Sequence, residues 1–407
     1  MGRSVLVIAG LAVLSTSAFA SKARMEALGQ GSTSYYLSDS RSVFLNPASL
    51  NDNKNYVVTE WGTASQASTN ALSSDSTTTP RAEGGFFREM GAFAYGLYLG
   101  NNGDLRTTLP ANTTSALSDK AFANHQNGLD LVFAGDMGLK WGARVHFANT
   151  KDETGGNATT PFVKKNTAFG LGLGVNHGDL DGYVNLNLSD KSTGATVASD
   201  EWNKKPGFQV GVGYKFAGLN LFADVTTSSQ EVKKGTSSTL TSATLAGVAV
   251  DMTSSSSLTH KSTDMIFGVS KLHEVNPGAR IVADMRFRSL TDEFSGSSTT
   301  TLNGKKTAIT LPVTFALEAD ATSWLVLRGS ISQNVILGQT KSVSGLKSTL
   351  ANSTSVNAGA SLNFGKLKVD GVIGNTPGAR SGGTLGAKEG VLSTDNLMSR
   401  VGVTYNF

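Results

Sequence analysis

Cysteine is absent from the 407 residues, so no disulfide holds this chain and its fold must rest on packing and hydrogen bonding alone. Histidine is nearly absent too. The five residues (His125, His146, His177, His260 and His273) are scattered, which argues against a metal centre. After residue 20 no stretch reaches the ~18 apolar residues of a membrane-spanning helix. Charge of one sign is also missing: a formal net charge of +4 is too small and too dispersed for a nucleic-acid binder. No Gly-x-Ser-x-Gly, His-Glu-x-x-His or EF-hand spacing occurs, so no enzyme, metal or cofactor is expected. Proline is scarce, at 8 residues against 46 glycines, and with abundant serine and threonine this points to many strands and long polar loops.

What is present begins with a processing signal. Arg3, an apolar run from Val5 to Leu14 and the Ala18-Phe19-Ala20 end read as a secretory signal peptide over residues 1–20, cleaved before Ser21. The apolar run is too short to span ~30 Å of hydrocarbon. Residues 21–55 show no sustained period of two and form a separate N-terminal segment. From residue 56 to 407 the pattern becomes apolar–polar alternation, the period of a β-strand.

Phe93, Tyr95, Leu97 and Leu99 oppose Ala94, Gly96 and Tyr98. Phe208, Val210, Val212, Tyr214 and Phe216 alternate with Gln209, Gly211, Gly213 and Lys215. Further candidates are Asp264–Leu272, Arg280–Arg288 and Ile309–Leu317. Sixteen strands are expected in all, with fourteen as the alternative count. Seven junctions are short, such as Ala217-Gly218, Asn276-Pro277-Gly278 and Gly365; eight are long and polar, such as 100–126 and 226–260. An even number of strands, with tight turns alternating with long loops, predicts an all-β, transmembrane, antiparallel up-and-down barrel. A β-sandwich would explain the alternation but not eight wet loops on one side and seven tight turns on the other. An apolar face in lipid also requires that the sheet close on itself.

The last stretch, from Leu397, alternates up to Tyr405 and Phe407. It resembles the closing strand of bacterial outer-membrane barrels, whose terminal aromatics serve as an assembly signal for the barrel-insertion machinery. Near the other end stand Ala27-Leu28-Gly29-Gln30-Gly31, Asp39, and Asn46-Pro47-Ala48 with Leu50. This segment resembles the N-terminal part of the FadL/OMPP1-type and PorV-like outer-membrane barrels, which often carry glycine where this chain has Ser49. The resemblance covers about thirty residues and implies a small hatch inside the barrel's periplasmic end, in a Gram-negative outer membrane. Turn chemistry alone also accounts for Asn46-Pro47.

A charge on the lipid face costs ~2–4 kcal/mol for Arg or Lys at mid-membrane, so charged positions within strands must face inward. Parity assigns Lys140, Arg144, Lys215, Arg280, Asp284, Arg286, Arg288, Arg328 and Arg400 to the lumen. Lys366, Lys368, Asp130, Asp224, Glu318 and Asp370 join them. The basic surplus predicts a water-filled path for small polar solutes with a weak anion preference, and Arg280, Arg286 and Arg288 form its densest stripe. Asp284 with Arg286 reads equally well as a structural ion pair. Two alternatives stand beside the porin-like channel: FadL-like transport of hydrophobic compounds, and a surface-exposed structural or adhesive barrel. The expected partners are outer-membrane lipid, the insertion machinery and small solutes, with a homo-oligomer such as a trimer.

Overall fold

The structure, a computed structural model, describes residues 21–30, 34–62, 81–101, 122, 128–153, 156–157, 160–161, 163–195, 197–238, 242–245, 248–251, 255–296, 303–335, 339–341, 347–349, 354–375 and 400–407. The expected signal peptide, residues 1–20, lies outside them.

Sixteen strands form one closed antiparallel barrel. They are β1 (Tyr56–Gly62), β2 (Arg81–Met90), β3 (Phe93–Leu99), β4 (Leu129–Asp136), β5 (Lys140–Asp152), β6 (Lys164–His177), β7 (Leu180–Thr193) and β8 (Glu201–Phe216). The second half is β9 (Leu219–Lys233), β10 (Ser257–Asn276), β11 (Ala279–Ser295), β12 (Pro312–Asp320), β13 (Leu325–Asn334), β14 (Thr354–Phe364), β15 (Leu367–Asn375) and β16 (Arg400–Asn406). Each pairs with its neighbours in the chain. The ring closes where β16 returns to β1, with Tyr56 opposite Asn406 and Gly62 opposite Arg400.

Side chains obey the predicted parity. On β8, Phe208, Val210, Val212, Tyr214 and Phe216 point outward and are 42–59% exposed, while Gln209 between them is buried. That outward apolar run covers nine residues, the ~9–11 that a tilted strand needs to cross hydrocarbon. On β11, Ile281, Met285 and Phe287 face out, whereas Val282 and Asp284 are buried inside. The hairpin β8–β9 turns on Ala217 and Gly218, both at positive φ (52° and 76°), the mirror-image turn geometry that matches strand twist.

Two sequence readings need correction. Ile309–Leu317 is not one strand: Gly304–Thr310 pairs with the upper part of β11, β12 pairs with its lower part, and Leu311 separates them. Pro312, which has no N–H to give the ladder, stands at the break. Several strands also run well past their predicted ends. β10 extends over 20 residues, from 257 to 276, where alternation marked only 264–272. Above Met265 its outward positions are Thr263, Lys261 and Thr259, polar like the inward ones, so the sheet outlasts the apolar band that made it legible.

Candidate functional site

The barrel interior is occupied by the chain's own N-terminal segment, referred to below as the plug. It starts with α1 (Lys22–Ala27), N-capped by the Ser21 side chain, which accepts from Arg24 N–H. A turn at Gly29, with φ of 70°, ends this helix. Asp39 then braces the entry to the short helix α2 (Ser42–Leu45), its Oδ1 accepting from the N–H groups of Arg41 at 2.7 Å and Ser42 at 2.9 Å. A 3₁₀ helix, Pro47–Asn51, follows, and the chain enters β1 at Tyr56 on the short-turn side. Residues 41–50 are all buried.

Asn46-Pro47-Ala48 serves both as a turn and as a wall contact. Asn46 Oδ1 caps the 3₁₀ helix by accepting from Ala48 N–H at 3.0 Å, and Pro47 occupies the first helical position, where no N–H is missed. The Asn46 amide donates to Asn176 Oδ1 on β6 at 2.7 Å. This close approach requires bare backbone on the barrel side. A Cβ on Gly142 would lie 2.3 Å from the Pro47 carbonyl carbon, and one on Gly174 would overlap Asn46 Oδ1. Gly142 on β5 and Gly174 on β6 thus leave room for the plug, whereas a Cβ on Gly170 or Gly172 would meet only barrel atoms of Leu186, His146, Asn185 and Arg144. Ser49 needs no left-handed backbone; it lies within the 3₁₀ helix, its N–H bonded to Asn46 O at 3.0 Å.

The plug meets two contrasting walls. On β1–β4 it buries Val43, Phe44 and Leu50 against Tyr56, Val58, Phe87, Ala94, Tyr98, Val132 and Ala134. Phe44 stands edge-on to Tyr98, with ring centroids 4.9 Å apart. At the margin of this apolar seat Arg41 lies 4.1 Å over the Phe44 ring and donates to Tyr98 Oη at 2.8 Å and Glu60 at 3.3 Å. Lys22 pairs with Glu83 on β2. Burial, with Arg41 nearby, lowers the Lys22 ammonium to about 8 even though Glu83 and Glu60 support its charge.

On β11–β15 the contact is ionic. Glu318 on β12 receives three guanidinium groups: Arg24 of the plug at 2.7 and 3.1 Å, Arg280 at 2.7 Å, and Arg328. Arg328 reaches on to Asp370 at 3.2 Å. Nearby, Arg400 lies 3.5 Å from Glu26, and Arg286 donates to Gln30. Burial raises the Asp39 carboxyl to about 6, against the opposing pull of Arg24 and of the backbone donors of Arg41 and Ser42.

The inward charges assigned from the sequence can now be placed: Asp224 accepts from Tyr183 Oη at 2.7 Å and Gln209 Nε2 at 2.8 Å, Lys368 lies 3.8 Å from Asp370, and Lys366 is exposed just before β15 rather than inside the lumen. Arg144 is buried below Phe44, donating to Asn185 at 3.1 Å and lying 3.9 Å from Asp130. Lys140 pairs with Asp52 at the short-turn end, and Lys215 is exposed there. Asp284 and Arg286 form an ion pair at 2.6 Å, as their structural reading had it, and Arg288 holds Asp264 at 2.7 Å. The stripe of Arg280, Arg286 and Arg288 is therefore matched, arginine by arginine, with Glu318, Asp284 and Asp264. Glu60 and Glu83, the partners of the plug's Arg41 and Lys22, were missed. The signal existed for Glu60, which shares parity with Tyr56 and Val58. At the seam, Tyr405 and Phe407 face outward at 46% and 48% exposure, and Phe407 N–H bonds Asn55 O at 3.1 Å.

No family model matches the chain, and no curated protein matches it in sequence. Solved structures align with it only at low scores. The toluene transporter TodX of Pseudomonas putida aligns at 13% identity and a TM-score of 0.37, over 96% of this chain and 98% of that one. A FadL homologue of Pseudomonas aeruginosa aligns at 10% identity and a TM-score of 0.41, over 95% and 98%. The alcaligin outer-membrane receptor FauA of Bordetella pertussis aligns at 8% identity and 0.43, over 78% of this chain; the match spans only about half (51%) of the receptor's length. At such scores and identities none of them assigns a family or a substrate.

Proposed function

We propose that the chain is an outer-membrane transport barrel, closed at rest by its N-terminal plug, that admits small hydrophobic or amphipathic molecules when the plug shifts. The carrying observation is the apolar inner wall of β1–β4, covered by Val43, Phe44 and Leu50. An aqueous pore has no use for Tyr56, Val58, Phe87 and Val132 facing its lumen, because bare apolar wall in water is unfavourable at ~25 cal/mol per Å². A closed sheet with an outward apolar band belongs in lipid, and a secreted chain of this kind fits the outer membrane. Passage of small polar solutes is the second reading, favoured by the ionic wall of β11–β15.

The absence of native cysteine makes a direct test possible. A Cβ on Gly359 would lie 2.5 Å from that of Ala27 and 2.9 Å from Gly371 O, so the pair Ala27→Cys and Gly359→Cys should tie α1 to β14 once the two backbones part by roughly 1 Å or more. Transfer of a lipophilic fluorescent probe into proteoliposomes should stop on oxidation and return on reduction. Transfer unaffected by the cross-link would remove the plug from the path. Planar-bilayer recording separates the second reading: a steady current whose ion selectivity moves toward cations on replacing Arg280, Arg286 and Arg288 with glutamate would favour polar solutes.

A further inference from the structure

Two side chains of the plug occupy the apolar wall of β1–β4 together. The Phe44 ring sits edge-on to Tyr98, among Tyr56, Phe87 and Val132, and the Arg41 guanidinium stands over the same ring at 4.1 Å. Arg41 donates to Glu60 of β1 at 3.3 Å and to Tyr98 Oη at 2.8 Å, and it lies 4.0 Å from Glu83 of β2. Both carboxylates are nearly covered, with side-chain exposures of 3% and 8%. Among the described residues, their ion pairs are all with the plug: Arg41 with both, and Lys22 with Glu83. On the other side of the ring, Arg144 is 5.6 Å from its centroid and is matched within the barrel by Asp130 at 3.9 Å. The occupant of this seat is thus an aromatic ring with a cation beside it, the cation held by barrel carboxylates.

When the plug shifts, Arg41 and Lys22 go with it, and Glu60 and Glu83 remain on the wall. Any molecule that covers the seat again takes these carboxylates out of water. Without a cation of its own it leaves them buried and unpaired, which is very unfavourable. A neutral hydrocarbon fills the volume and strands the charges; an aromatic carboxylate adds one more of the same sign. We infer that the seat of Phe44 and Arg41 is a substrate site for an arylalkylamine or arylalkylguanidine. The ring takes the place of Phe44, and the cation lies on Glu60, with Tyr98 Oη accepting from it. A charge-assisted hydrogen bond and the attraction of cation for ring then act together, as they do in the plug. The role in transport rests on the function proposed above; the binding chemistry does not.

The test removes the plug's own ring and cation and measures what replaces them. The full-length Arg41→Ala/Phe44→Ala barrel is titrated in micelles with 2-phenylethylamine, a cation at neutral pH. Ethylbenzene and 3-phenylpropanoate are the neutral and anionic probes. Calorimetry reads affinity, and gel mobility with and without heating reports the fold. Phenylethylamine should bind about tenfold or more tightly than either control. Adding Glu60→Gln should remove most of that advantage and leave ethylbenzene unchanged. In the wild type, where Phe44 and Arg41 hold the seat, phenylethylamine should bind more weakly and should speed proteolysis of the plug. No binding to the folded double variant overturns the inference, as do equal affinity for 3-phenylpropanoate and an amine advantage untouched by Glu60→Gln. If the double variant does not fold, the wild type decides: plug proteolysis unaffected by phenylethylamine overturns it. Failure of the transport reading is a separate result. Probe transfer that ignores the Ala27→Cys/Gly359→Cys cross-link, beside amine binding that still depends on Glu60, would leave the site standing and remove only its place in transport.

Discussion

Phe44 and Arg24 belong to one short segment, yet they meet the barrel wall by different physics. Phe44 is 1% exposed against Tyr98 and its apolar neighbours, where complete burial of such a side chain contributes ~1.5–3 kcal/mol. Arg24 is 3% exposed on Glu318, which Arg280 and Arg328 also hold. Taking these charges from water offsets most of their attraction, so an intact buried pair adds little net stability, while a broken one is very unfavourable. The apolar wall therefore supplies affinity for the plug, and the ionic wall fixes where it sits. A plug held in this way can leave as a unit, whereas partial displacement strands charges.

The largest effect should come from breaking the ionic wall at its hub. Glu318→Ala leaves Arg24 and Arg328 buried with one carboxylate fewer, a cost of ~3–5 kcal/mol. Limited proteolysis of the N-terminal segment in micelles should become much faster. Arg24→Met should do far less, because Glu318 keeps Arg280 and Arg328. Equal effects of the two substitutions would contradict the assignment of Glu318 as hub.

On the apolar wall, Phe44→Ala should cost ~3 kcal/mol by leaving a cavity, and Phe44→Leu under ~1.5 kcal/mol. The same proteolysis assay reads both. If Phe44→Leu proved as harmful as Phe44→Ala, the ring's contacts with Arg41 and Arg144 would matter more than its volume.

A smaller effect tests the seat from the barrel side. Gly142→Ala places a methyl against Pro47 backbone, which cannot rotate away, at a cost of ~1–3 kcal/mol. Gly182→Ala meets nothing closer than 3.7 Å and should be silent. Similar plug protection in the two variants would mean that Pro47 does not rest on β5.

The contrast between the walls also explains what the sequence could and could not reveal. Barrel, strand count and lumen parity were legible because lipid enforces alternation: Phe208 to Phe216 cannot face inward without leaving Gln209 and Lys215 in hydrocarbon. Where that pressure stops, as at Thr263 and Lys261 on β10, the strand continues but its signature does not. The plug has no such periodicity. Its position rests on contacts between residues hundreds of positions apart, Arg24 with Glu318 and Asn46 with Asn176, which no local pattern encodes. A lone count of inward charges read the basic surplus as a wet path, since Asp264, Glu60 and Glu83 were not yet matched to their arginines and lysine.

The smallest expected effect is a pH dependence, and it belongs to the plug's own interior. The Asp39 carboxyl titrates at about 6 when seated, against an ordinary 3.8 when the segment is displaced into water. Its folded value is raised, so protonation favours the seated form; that contribution is complete below the ordinary value and is lost as pH rises through about 6. Lys22 runs the opposite way. Its contribution is present above its ordinary 10.5 and is lost as pH falls through about 8, so it does not titrate between pH 7 and 5. Over that interval the Asp39 contribution should protect the plug by on the order of 1 kcal/mol, several-fold to tenfold in proteolysis rate. Asp39→Asn keeps an oxygen to accept from Arg41 and Ser42 N–H but cannot ionise. The variant should be better protected than the wild type at pH 7 and should lose this share of the pH dependence. Parallel pH profiles for wild type and variant would show that Asp39 is solvated in the seated plug, and would shift weight from the ionic wall to Phe44 and its apolar neighbours as the principal hold on the segment.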